Sequence, residues 1–211
     1  MSRPATLTPD AVQLALEQLT RSDRRLNEII QQVGPFRLRR STNRFQSLLR
    51  AIVAQQISTA AARSIWGRLE QLAAPHPLTA EAIHNLSDES LRGAGLSPQK
   101  LKYVRDLTEQ VHRGDLNLRS LHFRSDDEII AELTQIKGIG VWTAQMFLMF
   151  SLGRPDVLPH ADFGIRTAIK RTYGLDELPS REECHEIAQP WRPYATVACW
   201  YLWRSLEFPS K

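Results

Sequence analysis

The stretch Leu133-Thr134-Gln135-Ile136-Lys137-Gly138-Ile139-Gly140-Val141-Trp142-Thr143-Ala144 decides the fold. Two glycines, one residue apart, interrupt a helical pattern. Upstream, Ser125-Asp126-Asp127-Glu128 has the S-x-x-E form of a capping box and opens a helix through Ile129, Ile130 and Leu133. Downstream, Val141 to Leu152, with the apolar run Met146 to Phe150, reads as a second helix. Glycine reaches positive φ without a Cβ penalty, so a glycine pair lets the backbone reverse in less than a helical turn. The segment about 126–152 is therefore predicted to be a helix-hairpin-helix.

Such a turn leaves the first amides of the second helix without intrahelical acceptors, and the helix dipole adds partial positive charge there. A phosphate oxygen is the natural guest. An ordinary helix-loop-helix corner also accounts for a bare G-x-G. The fuller pattern, apolar-Thr-x-apolar-x-Gly-Ile-Gly, favours the phosphate reading.

Outward from this centre, helix signals recur and strand signals are scarce. Thr8-Pro9-Asp10 caps a first helix, and Ser22-Asp23 starts a second that ends near Gly34-Pro35. Phe45, Leu48, Leu49, Ile52 and Val53 share a helix face, and Ser58 caps the next helix. Between them stand two adjacent glutamines, Gln55 and Gln56. Helix-end hydrogen bonding is their plain reading. Arg37, Arg39, Arg40, Arg44 and Arg50 form a basic stretch suited to solvent or to phosphate. From Ala73 to Ser120, prolines and glycines punctuate short helices, one of them from Pro98 to about His112.

Composition sets the outer limits. With 211 residues, 42% of them hydrophobic, the chain can bury a sizeable core as one domain or two intimately packed lobes. Cys184 and Cys199 are too few for a disulfide framework or a Cys-rich metal site, and both read as free, buried thiols. Met1-Ser2-Arg3-Pro4 lacks the apolar core of a signal peptide, and no unbroken apolar run approaches a membrane span. A soluble intracellular protein is expected. The net charge of +4 is compatible with nucleic acid without proving it.

Ile136 to Ala144, with Pro159 to Arg166 downstream, resembles the helix-hairpin-helix DNA glycosylase superfamily, and within it the DNA-3-methyladenine glycosylase branch. The resemblance extends from about Phe45 to about Trp203. It implies an all-α, two-lobed fold with the active site between lobes, the whole of 1–211 forming one glycosylase unit of two interleaved lobes. The implied partner is double-stranded DNA carrying a damaged base, bound by a monomer in the bacterial nucleoid or the eukaryotic nucleus.

The resemblance also assigns roles. The hairpin amides of Gly138, Gly140 and Thr143 would grip a backbone phosphate. Gln56, with Gln55 beside it, would fill the gap left by a flipped nucleotide, since extrusion costs a few kcal/mol of stacking and pairing. No cofactor is required. Carbonyls of Thr134, Ile136 and Ile139 match positions that hold a monovalent cation between protein and phosphate in this class of hairpin.

Hydrolysis of an N-glycosidic bond passes through a sugar with oxocarbenium character, which a well-placed carboxylate stabilises. From the residues alone, Asp162 is the N-cap of a helix from Phe163 to Tyr173. The resemblance makes it catalytic, with Asp156 as the nearby rival. Trp142 stands where bifunctional relatives carry a lysine that attacks the sugar, and an indole cannot form a Schiff base. A monofunctional enzyme without lyase activity follows.

A purine alkylated at N3 or N7 already carries positive charge, so it leaves readily and favours electron-rich rings. The resemblance places Trp142 and Trp200 in the base pocket, with Met146 and Tyr201 beside them and Trp203 a further ring. Core packing is the competing fate of each ring. His160, two residues before Asp162, is a candidate hydrogen-bond donor. Met146 departs from the family pattern, which bears on base preference, and Ala161 departs where many relatives have a second Asp, which bears on loop order or rate; a glycosylase for a deaminated base such as uracil or hypoxanthine is one alternative. A noncatalytic DNA-binding module using the same hairpin is the alternative from another class.

Overall fold

The computed structural model describes residues 5–209; the Met1–Pro4 stretch considered above lies outside them. Twelve α-helices occur among the described residues, and no strand. They are α1 (Pro9–Ser22), α2 (Arg24–Val33), α3 (Arg44–Ala54), α4 (Thr59–Ala73), α5 (Ala80–Asn85) and α6 (Asp88–Gly93). Then follow α7 (Pro98–Arg113), α8 (Asp126–Leu133), α9 (Val141–Phe147), α10 (Phe163–Tyr173), α11 (Arg181–Ile187) and α12 (Ala195–Ser205). A π-helical turn, Leu148–Leu152, continues the chain after α9, so the second helix of the hairpin changes its winding midway. Among the described residues, no helix is long and apolar enough to cross a membrane.

The helices fall into two compact units. The first comprises Ser41–Phe147, and the second combines the described residues of 4–40 with those of 148–211. Helix starts follow the expected chemistry: side chains of Thr8, Asp23, Asn43, Ser58, Thr79, Ser87, Ser97, Ser125, Asp162 and Ser180 each accept a backbone N–H of the turn they open.

In the first unit α7 is the hub, packed by α3, α5 and α6 through buried Leu101, Val104 and Leu107. Arg105 locks α7 to the end of α5: its Nη1 donates to the Ile83 carbonyl at 2.9 Å and its Nε pairs with Asp88 at 2.7 Å. Two arginines of the basic stretch serve this unit. Arg44 donates to the Leu118 carbonyl, and Arg50 lies 3.8 Å over the Trp66 ring.

In the second unit α12 packs on α1, α2 and α10, with Ala195, Val197, Ala198, Cys199, Tyr201 and Leu202 fully buried. A buried carboxylate is satisfied by neighbours from three elements. Asp23 accepts from the Leu26 amide at 3.0 Å, the Trp191 indole at 2.9 Å and the Tyr173 hydroxyl. Burial, reinforced by Asp23, pushes the Tyr173 phenol far above its usual range. Both cysteines are free and buried, and burial raises both thiols.

Candidate active site and phosphate-binding hairpin

The hairpin lies in the first unit. α8 opens on the full capping box: Ser125 Oγ accepts the Glu128 amide at 3.3 Å, and Glu128 Oε2 accepts the Ser125 amide at 2.7 Å. Hydrogen bonds from the Ser125 side chain and backbone hold the Glu128 carboxyl below its usual range. After Leu133 two short turns close, with the Ile136 amide on the Leu133 carbonyl at 3.2 Å and the Ile139 amide on the Ile136 carbonyl at 3.0 Å. α9 begins where the Ala144 amide reaches the Gly140 carbonyl at 3.0 Å. The amides of the first turn, from Val141 to Thr143, precede that bond at the N-terminal end of the helix, where the helix dipole is positive.

The two glycines do different work. Gly138 has φ +83°, and a Cβ there would lie 2.2 Å from the Tyr103 ring, so conformation and space both demand glycine. Gly140 has an ordinary φ, and a Cβ would meet nothing within 4 Å. The space in front of it, at the start of α9, is open.

Three residues far away in sequence hold the turn. Gln55 Nε2 donates to the Gly138 carbonyl at 2.7 Å. Asp106, on α7, accepts the Lys137 amide at 2.9 Å, with the Lys137 ammonium 3.5 Å from its other oxygen. Tyr103, one turn before Asp106, packs on Gly138. Neither Tyr103 nor Asp106 was legible in the sequence. Both sit in a plain amphipathic helix, and only the pairing of α7 with the hairpin singles them out.

The two glutamines diverge. Gln55 ends α3 and turns back to the hairpin, whereas Gln56 is exposed, with φ +55°. It is the sole non-glycine with positive φ among the described residues. Holding glutamine in that region costs about 1 kcal/mol, the kind of local strain that collects at functional sites. Trp142 is 47% exposed, and Met146, one turn further along the same face, is half-buried.

The second unit holds the carboxylates. Asp162 caps α10: its Oδ1 accepts the Ile165 amide at 2.8 Å and also the Trp203 indole N–H at 2.9 Å. Its rival is committed elsewhere. Asp156 pairs with Arg192 at 3.0 Å and accepts the Ala195 amide at 3.2 Å, capping the start of α12. Trp200 is half-exposed, with Phe36 edge-on at 4.8 Å and Tyr201 perpendicular at 4.9 Å. Tyr201 is fully buried and donates to the Gly34 carbonyl at 2.9 Å; burial raises its phenol to about 12. It packs against the Trp200 ring from within the core of the second unit. Phe36 is the ring that sequence reading missed, although its place just after the Gly34-Pro35 helix stop marks it as an aromatic in a loop.

His160 is held below its usual range, first by burial and then by Arg181 and the His185 ring, the latter 5.3 Å away. A neutral imidazole is thus favoured two residues before Asp162. Among the described residues, no group of three or more His, Cys, Asp or Glu could hold a metal ion.

Residues 49–193 match the family described as the HhH-GPD superfamily base excision DNA repair protein. A relative from Bacillus subtilis (strain 168) is 40% identical over 127 residues, 60% of this chain but only 44% of the longer relative. The crystal structure of a DNA-3-methyladenine glycosidase from Bacillus halodurans aligns with a TM-score of 0.84 at 40% identity, over 97% of this chain and 92% of that one. A 3-methyladenine DNA glycosylase from Schizosaccharomyces pombe, solved in complex with abasic DNA, aligns with a TM-score of 0.83 at 30% identity, over 93% of this chain and 98% of that one.

Proposed function

The chain belongs to the HhH-GPD superfamily of base excision DNA repair proteins, and from that premise we propose that it is a monofunctional DNA glycosylase releasing alkylated purines of the 3-methyladenine type. The observation that carries the reading is Asp162, a carboxylate at the head of α10 held by two N–H donors while Asp156 is spent on α12. The base departs with the electrons of the glycosidic bond, the sugar acquires oxocarbenium character, and water completes the substitution. A fixed carboxylate stabilises that cation and favours the attacking water. Trp142 supplies no amine, so the product is an abasic site with an intact strand.

The remaining residues bind and sort. Amides of Gly138, Gly140 and Thr143 hold a backbone phosphate, and carbonyls of Thr134, Ile136 and Ile139 would hold a monovalent cation against it. These three are neutral, hard oxygen donors, which suits such an ion. Gln56 fills the vacated stack, with Gln55 fixing its neighbour the hairpin. In the first unit Trp142 and Met146, and in the second Trp200 and Phe36, each offer electron-rich or polarisable surface suited to a cationic purine. The enzyme acts as a monomer on double-stranded DNA, in the nucleoid or nucleus.

The test is base release from methylated duplex DNA by the wild type and Asp162→Asn, followed by alkali to reveal abasic sites. Asparagine keeps a cap oxygen but not the charge, so release should fall by about a hundredfold or more, with cleavage only after alkali. Equal release by both proteins removes Asp162 from its role. Release confined to deaminated duplexes changes the base class, and DNA binding without release of any base leaves only a recognition module.

A further inference from the structure

Asp162 receives more than a helix cap needs. A capping carboxylate satisfies its purpose by accepting one amide of the first turn, and Ile165 provides that bond at 2.8 Å. The second donor, Trp203 Nε1–H at 2.9 Å, comes from α12, forty-one residues on, and lands on the same oxygen. Two donors on one oxygen fix the carboxylate's plane as well as its position.

The surroundings are arranged to let Trp203 make this contact. Gly164 occupies the second position of α10, where alanine is the better helix former. A Cβ at that position would lie 3.1 Å from Asp162 Oδ1 and 3.2 Å from both Trp203 Cδ1 and Nε1. The missing methyl is the space through which the indole reaches the carboxylate. Phe150 packs against the indole, with ring centroids 5.9 Å apart and 30° between the planes. Phe150 belongs to the π-helical turn Leu148–Leu152.

We infer that Trp203 is a positioning residue for the reaction, its indole N–H orienting the Asp162 carboxylate, with Gly164 giving it access and Phe150 bracing its ring. The inference rests on the glycosylase reading above. It separates the tryptophans by role: Trp203 acts through the carboxylate, whereas Trp142 and Trp200 serve the base.

The experiment is single-turnover base release from methylated duplex DNA by wild type, Trp203→Phe, Asp162→Asn and the double variant, with affinity for abasic duplex measured alongside. Phenylalanine keeps a ring against Phe150 and removes the donor. The expected result for Trp203→Phe is a rate about tenfold to a hundredfold lower, the range for losing a hydrogen bond to a charged group, with DNA affinity unchanged. In the Asp162→Asn background the same change should cost nothing further, a non-additivity that a purely structural role would not give. Gly164→Ala, which crowds the pair without altering either partner, should show the same rate loss and decides the matter if Trp203→Phe does not fold. A wild-type rate in Trp203→Phe, or an equal loss in both backgrounds, overturns the inference while leaving the glycosylase reading intact. No release by the wild type from methylated or deaminated duplexes overturns the reading itself.

Discussion

The hairpin of the first unit and the carboxylate station of the second solve similar problems with different parts. The hairpin presents main-chain amides within a dozen consecutive residues, and its side-chain supports, Gln55, Tyr103 and Asp106, act on backbone atoms or backbone space. The station presents one side-chain oxygen, and its supports, Phe150, Gly164 and Trp203, act on that side chain from separate elements. A backbone grip is sensitive to φ and to close approach. A side-chain station is sensitive to donors and ring packing. Substitutions in the first region should therefore register as stability and binding, and in the second as chemistry.

The largest effect expected in the hairpin is from Gly138→Ala, which meets both the positive φ and the Tyr103 ring. It should cost about 2–5 kcal/mol of stability, read by urea unfolding, and abolish measurable duplex affinity. Adding Tyr103→Ala should relieve the clash but not the φ penalty. Gly140→Ala, with open space around it, should leave stability within about 0.5 kcal/mol yet weaken DNA binding. Equal stability losses at the two glycines would break the distinction between conformational and access roles.

Gln56→Gly should move stability and activity in opposite directions. Glycine adopts φ +55° without strain, so stability should rise by about 0.5 kcal/mol, while base release falls about tenfold for want of a group to fill the stack. A variant both more stable and fully active would show that the strained glutamine is incidental. The measurement pairs a thermal melt with single-turnover release.

The smallest effect concerns pH. Because the folded protein holds His160 below its ordinary 6.5, the unfolded chain takes up the proton first as pH falls. Stability is unaffected above that value and is lost as pH drops from about 6.5 toward the lower folded pKa. Arg181 and His185 oppose protonation beside it, and Glu182 partly offsets them. His160→Gln should flatten this part of the profile of unfolding free energy between pH 8 and 5; an unchanged slope would assign the acid loss to other groups.

Local chemistry explains why so much of the architecture could be read directly. A helix start needs only an oxygen three residues before an amide, and a reversal needs only a residue tolerant of positive φ. The capping box at Ser125 and Glu128, the cap at Asp162 and the turn at Gly138 are accordingly visible in short windows. Even there, the sequence treated the glycines as a pair, whereas only Gly138 uses the positive φ.

Sequence by itself determined the helical class, the hairpin and the capped head of α10 at Asp162, because each rests on bonds between near neighbours in the chain. Tertiary structure alone decided that Asp156 is occupied, that Tyr201 is core, that Phe36 stands against Trp200 and that Trp203 donates to Asp162. Those outcomes depend on which helix faces meet and at what rotation. The π-helical turn Leu148–Leu152 carries Phe150, and Gly164 leaves space between Asp162 and Trp203; neither leaves a periodic signal in the residues that meet there.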